Sequence, residues 1–402
     1  MSKQSLNEII VWSGGNLQEA REMYYVDDLF STGTTAMIQK IYETNIYENP
    51  MPAVRSLQAI FPGLALLPSN EIIALFTIGE AFEAANMRTY VSRSLDIGKT
   101  WQLQGQLYNQ QELKLGHQFS DCYKPTLLKD GRLVAIGYGF ERHDSDKGIG
   151  DSETGSFPPG QNMITFSTDN GRTWSIPQKI DMCSDKILEL SGPCIQLKSG
   201  KLIAAGPPFT INKTGQEGWI IESGDNGKTW KRLGNYFTTP GGNVAPWETR
   251  ICEMQPNRVV ALFWAYDTLN EKHLSNHVTV SHDGGRTWSK AIDTGHMGQA
   301  SNVLWLGGDK LLTIHAHRAG DVGLYVRYVD FSNDNWNMQE EAVIWGKASS
   351  QDTSRSIIDQ FAALKFGQPS LLRLDDGEFL ATHWCVEDCM YKIKTHRLIF
   401  EA

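Results

Sequence analysis

The sequence contains no apolar run near the roughly 18 residues that a membrane-spanning helix needs. It also has no surplus of basic residues: Lys+Arg number 37 against Asp+Glu 46, a net charge of −9. Without a basic cluster, that balance argues against nucleic-acid binding. Cysteine is sparse. The six cysteines, at 122, 183, 194, 252, 385 and 389, are scattered too widely for a disulfide framework. Only Cys385 and Cys389 lie close together, and no second pair completes a zinc set. The N-terminal MSKQSLNEIIVWSGG has a lysine but no apolar core and no small-residue cleavage site. A cytoplasmic location is therefore expected, or a secreted one if a leader has been removed. A hydrophobic fraction of 41% and a charged fraction of 21% exclude disorder and fit an ordinary globular core.

What the chain does have is tryptophan, 12 residues, and glycine, 37. Both follow from a repeat. SLDIGKTW, STDNGRTW, SGDNGKTW and SHDGGRTW share the pattern Ser-x-Asp-x-Gly-x-Thr-Trp. Their aspartates, Asp96, Asp169, Asp225 and Asp283, are 73, 56 and 58 residues apart. A degraded fifth copy, SNDNW, ends at Trp336. In such a turn the aspartate accepts hydrogen bonds from backbone N–H groups. Glycine takes a positive-φ position, and tryptophan plugs the space beneath. Each copy follows a short alternating strand, as in MITFST and HVTVS, and so joins two outer strands of a small sheet. These aspartates are read as structural, not catalytic.

Upstream of each turn lies a second unit of strand, polar turn and apolar strand. There are six, from PGLALLPSNEIIALF at Pro62 to PSLLRLDDGEFLATHW at Pro369. Six repeats of about four strands predict an all-β, six-bladed propeller. The last blade lacks its outermost strand. One of the N-terminal stretches NEIIVW and AMIQKIY is expected to supply it and close the ring, removing an open edge. Residues 1–402 then form a single domain.

With these boxes the chain resembles the sialidase (neuraminidase) superfamily of Asp-box propellers, from about Pro62 onward. The resemblance implies an active site at the channel mouth, near the starts of the inner strands. It implies three arginines clamping a substrate carboxylate, an acid/base in the loop before the first box, and a tyrosine nucleophile assisted by a glutamate. Glu83 falls in that loop, and Glu248 in PWETRICEM matches the glutamate. Two positions depart. Ile60 stands where the first arginine belongs, with Arg55 and Arg88 only nearby. Phe366-Gly367-Gln368 stands where the tyrosine is expected. Cleavage of sialic acid by the tyrosine route is therefore not expected.

Their places at the starts of the inner strands put Asp121, Tyr123, Glu248, Arg250, Ser301, Asn302 and Gln368 at the channel mouth, and alternation sets Glu248 and Arg250 on one face. Trp247 and Trp384 are candidates to stack on sugar rings. His315 and His317 share a face just before Arg318, a further candidate for positive charge. The long irregular stretch from Phe140 to Asn162 carries Glu141, Arg142, His143 and Asp144 and is a candidate binding loop. Its Asp144, Asp146 and Asp151 match no EF-hand, so the metal question stays open. No organic cofactor is called for. The expected function is an exo-glycosidase-like enzyme acting on a terminal sugar. Glu83 and Glu248 are the paired carboxylates, with Tyr123, His143 and His317 in reserve, and elimination remains an alternative chemistry. The alternative class is a non-catalytic glycan- or protein-binding propeller. The expected partner is a carbohydrate, with no nucleic acid and no membrane.

Overall fold

The computed structural model describes residues 38–400 apart from 116, 152–155, 183, 347, 375 and 376. NEIIVW lies outside the described residues. Six antiparallel sheets of four strands, one carrying an extra short strand, make up the described chain; five are wound as meanders, and the sixth takes its outer strand from the other end. The inner strands are Gln58–Leu66, Gln118–Leu127, Ile195–Gln196, Val244–Gln255, Ser301–Gly307 and Phe366–Arg373. We number the blades 1 to 6 in that order. Apolar side chains of neighbouring sheets mesh between the blades, so the core is a ring of clusters rather than one centre.

Ring closure follows the sequence expectation. Ile38–Glu48, which continues AMIQKIY, pairs antiparallel with Met390–Phe400 and becomes the outer strand of blade 6. The Glu43 carboxylate accepts from Lys394 Nζ at 3.0 Å across this seam. The two ends of the described chain therefore share one sheet.

The four intact boxes share the bonds among their serine, aspartate and threonine, and all but the second add a tryptophan Nε1 bond to the glycine carbonyl. In the third, Thr229 donates its N–H to Asp225 Oδ1 at 2.9 Å and its hydroxyl to Oδ2 at 2.6 Å. These bonds hold the Asp225 carboxyl down at about 2. Ser223 donates to Asp225, and Trp230 Nε1 donates to the Gly227 carbonyl at 3.1 Å. Each turn needs two successive positive-φ residues, met by Asn226 and Gly227 at 60° and 89° and by Gly284 and Gly285 in the fourth box. The fifth copy departs from this. Its Asp334 instead pairs with Arg258 at 2.7 Å and with His282. Trp230 is 6% exposed and packs into the cluster between blades 2 and 3. Trp230→Ala is expected to destabilise the fold by about 3 kcal/mol. Equilibrium denaturation checks this, and an unchanged midpoint would contradict the structural reading of the boxes.

Candidate active site at the channel mouth

Three inner strands break their ladders at matching places. Register slips between Ile60 and Gly63 in blade 1, Trp247 and Arg250 in blade 4, and Gly367 and Ser370 in blade 6. Each bulge holds a non-glycine residue at positive φ: Phe61 at 59°, Glu248 at 48° and Gln368 at 39°. Bulges re-aim side chains, and such backbone strain clusters at functional sites. All three side chains turn into one cavity of about 150 Å³.

The cavity walls are aromatic. Trp247 stacks on Tyr266 at 4.9 Å and meets Trp264 edge-on at 5.1 Å. Phe61 and Phe82 meet at 5.4 Å, and Phe140 and Tyr138 pack on Phe209. A short helix, Ile357–Ala362, brings Phe361 against Trp247 at 5.7 Å.

The charged and amide groups are few and convergent: Glu83, Glu189, Glu248, Arg318 and Gln368. Glu83 sits in the loop after the second strand of blade 1. Its Oε2 accepts from the Ile149 N–H at 2.8 Å, and burial raises its pKa. Glu189 is half-buried, and its Oε2 accepts from the Glu248 N–H at 3.4 Å. Burial, then the charge of Glu248, pushes Glu189 up to about 8. Arg318 donates through Nε to the Phe366 carbonyl at 2.9 Å. A Cβ at residue 367 would lie 2.0 Å from Arg318 Nη2, so glycine there lets the guanidinium reach the cavity. Glu248 Oε2, Arg318 Nη1 and Gln368 Oε1 are buried and have no hydrogen-bond partner among the described residues. Buried polar atoms without partners are costly, and three on one cavity mark a place shaped for a polar ligand.

The structure thus gathers Glu83, Glu248, Arg318, Gln368 and Trp247 from the expected set. It places the others elsewhere. Arg250 does not pair with the Glu248 carboxylate: the bulge breaks the alternation, and its Nη1 donates to Ser191 Oγ and the Glu248 and Thr249 carbonyls. It lines a separate cavity with Lys124 and Asn302. Blade 2 has no bulge in its inner strand, so Asp121 and Tyr123 keep strict alternation and face the packing against blade 1. Asp121 accepts from the Thr89 N–H and hydroxyl and from Tyr108. Arg88 is spent on the carbonyls of Ala85 and Met87. Trp384 is fully buried behind the wall, 5.5 Å from the Phe82 ring. His317 packs edge-on to Tyr325 at 5.7 Å, and His315 is buried against Asn276 and Thr313. His143 lies out on the blade-2 loop beside Glu141. Glu189, Tyr138 and the Ile357–Ala362 helix are additions that the sequence reading did not contain.

The BNR/Asp-box repeat matches residues 279–290, and no curated protein matches the chain. A protein of unknown function from Dyadobacter fermentans superposes with TM-score 0.70 at 19% identity, covering 90% of this chain and 99% of that one. A sialidase from Streptococcus pneumoniae gives 0.60 at 14%, covering 88% and 70%. An α-L-arabinanase from Penicillium chrysogenum, complexed with arabinobiose, gives 0.63 at 13%, covering 90% and 99%. The chain is an Asp-box propeller of sialidase-like architecture.

Proposed function

We propose that the chain is a glycosidase acting on a terminal sugar held in the aromatic cavity. The observation that carries this is the convergence of Glu83 and the Glu189–Glu248 pair on that cavity, beside three orphaned polar atoms. Burial keeps Glu83 in its acid form to higher pH, the state a proton donor needs. In this reading the bond from the anomeric carbon to the leaving oxygen breaks as Glu83 protonates that oxygen. The Glu248 carboxylate takes the proton of the incoming water or steadies positive charge on the ring. Glu189 keeps its own proton near neutral pH and limits the negative charge beside Glu248. The aromatic walls offer apolar faces to the sugar ring. The sialidase and the arabinanase that share the fold are both glycosidases by name, which supports the class and leaves the sugar open. Turnover of one member of a panel of aryl glycosides and uronic-acid oligosaccharides tests the reading; no turnover across the panel speaks for the binding alternative.

Sialosides are expected to be poor substrates. Ile60 is fully buried in the core, and Arg318 is the only arginine lining the described cavity. One guanidinium does not replace a three-arginine clamp on a carboxylate. Measuring kcat/KM on an aryl sialoside checks this, and efficient release of sialic acid would overturn it.

A further inference from the structure

The blade-2 hairpin ends in a cluster that the proposed chemistry does not use. Its ladder pairs Phe119 with Glu141 and Gln118 with Arg142. Continuing that register by one step sets His117 opposite His143. Glu141, two residues before His143, falls on the same face. The side chains meet there. Glu141 Oε2 lies 3.6 Å from His117 Nε2 and 3.1 Å from His143 Nε2. The imidazole rings stand 4.4 Å apart. Among the described residues, this is the one group of three His, Cys, Asp or Glu whose ligand atoms all lie within 4.8 Å of one another.

We propose that His117, Glu141 and His143 bind one divalent late first-row cation, Zn2+ in the first instance. Two imidazole nitrogens and one carboxylate oxygen suit such an ion. With metal–ligand bonds of about 2.0–2.1 Å, tetrahedral ligand atoms stand about 3.3–3.4 Å apart. The two nitrogen–oxygen separations bracket that spacing, so little rearrangement is needed. His143 is 60% exposed, which leaves a fourth position open to water or a ligand group. The His117 Nε2 atom is itself buried and has no hydrogen-bond partner among the described residues.

The site lies at the root of the loop that holds Glu83. Arg142, between two of the ligands, donates to the Glu83 carbonyl, and the loop then returns Ile149 to the Glu83 carboxylate. A bound cation would fasten both ends of the hairpin where this loop departs. Its role is to order the loop; it touches no reacting atom.

The test uses the untagged full chain, stripped with a chelator and titrated with Zn2+ against a competing dye. One equivalent is expected to bind. His143→Ala, His117→Asn and Glu141→Gln are each expected to weaken binding by at least about 100-fold. Zn2+ should raise the Tm of the wild type only, and should slow amide exchange between residues 143 and 149. Co2+ in place of Zn2+ should give the visible absorption of a tetrahedral nitrogen–oxygen site. Circular dichroism confirms that the variants are folded. A wild type that binds no stoichiometric Zn2+ overturns the proposal, as do variants that bind as tightly as the wild type. Neither result bears on Glu83 or Glu248, because binding is read without substrate.

Discussion

Glu248→Gln is expected to lower kcat by about 10²–10⁴-fold with the fold intact. The substitution keeps the shape of the side chain and removes its charge. Three observations make that charge functional. The residue sits at a strained positive φ of 48°. Its side chain faces the cavity, with Oε2 buried and unbonded among the described residues. Arg250, the obvious structural partner, bonds backbone carbonyls and Ser191 instead. Glu83→Gln should differ in an informative way. A proton donor matters most for poor leaving groups, so its loss should be severe on oligosaccharides and mild on activated aryl glycosides. Equal losses on both would remove Glu83 from the donor role. Unchanged kcat and KM in folded Glu248→Gln would remove the site from this cavity.

The second large effect concerns stability and pH. Glu189 has its carboxyl raised from an ordinary 4.5 to about 8, by burial first and by Glu248 second. Between those values the unfolded chain has released this proton while the folded chain keeps it. The folded state then binds more protons, so this group makes stability fall as pH rises through that window. The displacement amounts to on the order of a few kcal/mol once pH passes about 8. Glu189→Gln mimics the protonated form at every pH. It is expected to match the wild type near pH 4 and to exceed it by several kcal/mol near pH 8. Urea denaturation at the two pH values measures this. Parallel behaviour of variant and wild type would show that Glu189 ionises in the folded protein as it does in water.

The propeller was legible because its signals are local. A box is complete within eight residues, and Asp225, Gly227, Thr229 and Trp230 close their bonds inside one turn. Glu83 and Glu248 were legible through their places relative to the boxes and inner strands. Alternation failed where bulges intervened. It put Arg250 beside the Glu248 carboxylate, whereas the slip after Trp247 sends the guanidinium to another cavity. In blade 2 the opposite error arose, because nothing in DCYKP reveals that this strand has no bulge. Glu189 had no signal of its own. The inner strand of its blade is only Ile195–Gln196, and the residue precedes it in irregular chain anchored by the bridge from Leu188 to Pro208 and by the Asn162 side chain. Its importance comes from Glu248, 59 residues away.

The seam between Ile38–Glu48 and Met390–Phe400 has a consequence for how the molecule is made. During synthesis blades 1 to 5 can assemble in order as each meander emerges. Residues 38–48, translated early, have no partner until the last strand leaves the ribosome. Throughout that interval an unpaired strand of 11 residues waits as an open edge, ready to add to any other exposed sheet. Lys40 and Glu43 in that strand place charge along it, a feature that discourages mispairing. Joining segments some 350 positions apart is also a slow, entropically costly event. A circular permutant that begins in the loop after Glu48 and joins Phe400 to Ile38 through a short linker would make the strand and its partner neighbours in translation. Refolding yield should rise in that form, with the finished ring unchanged.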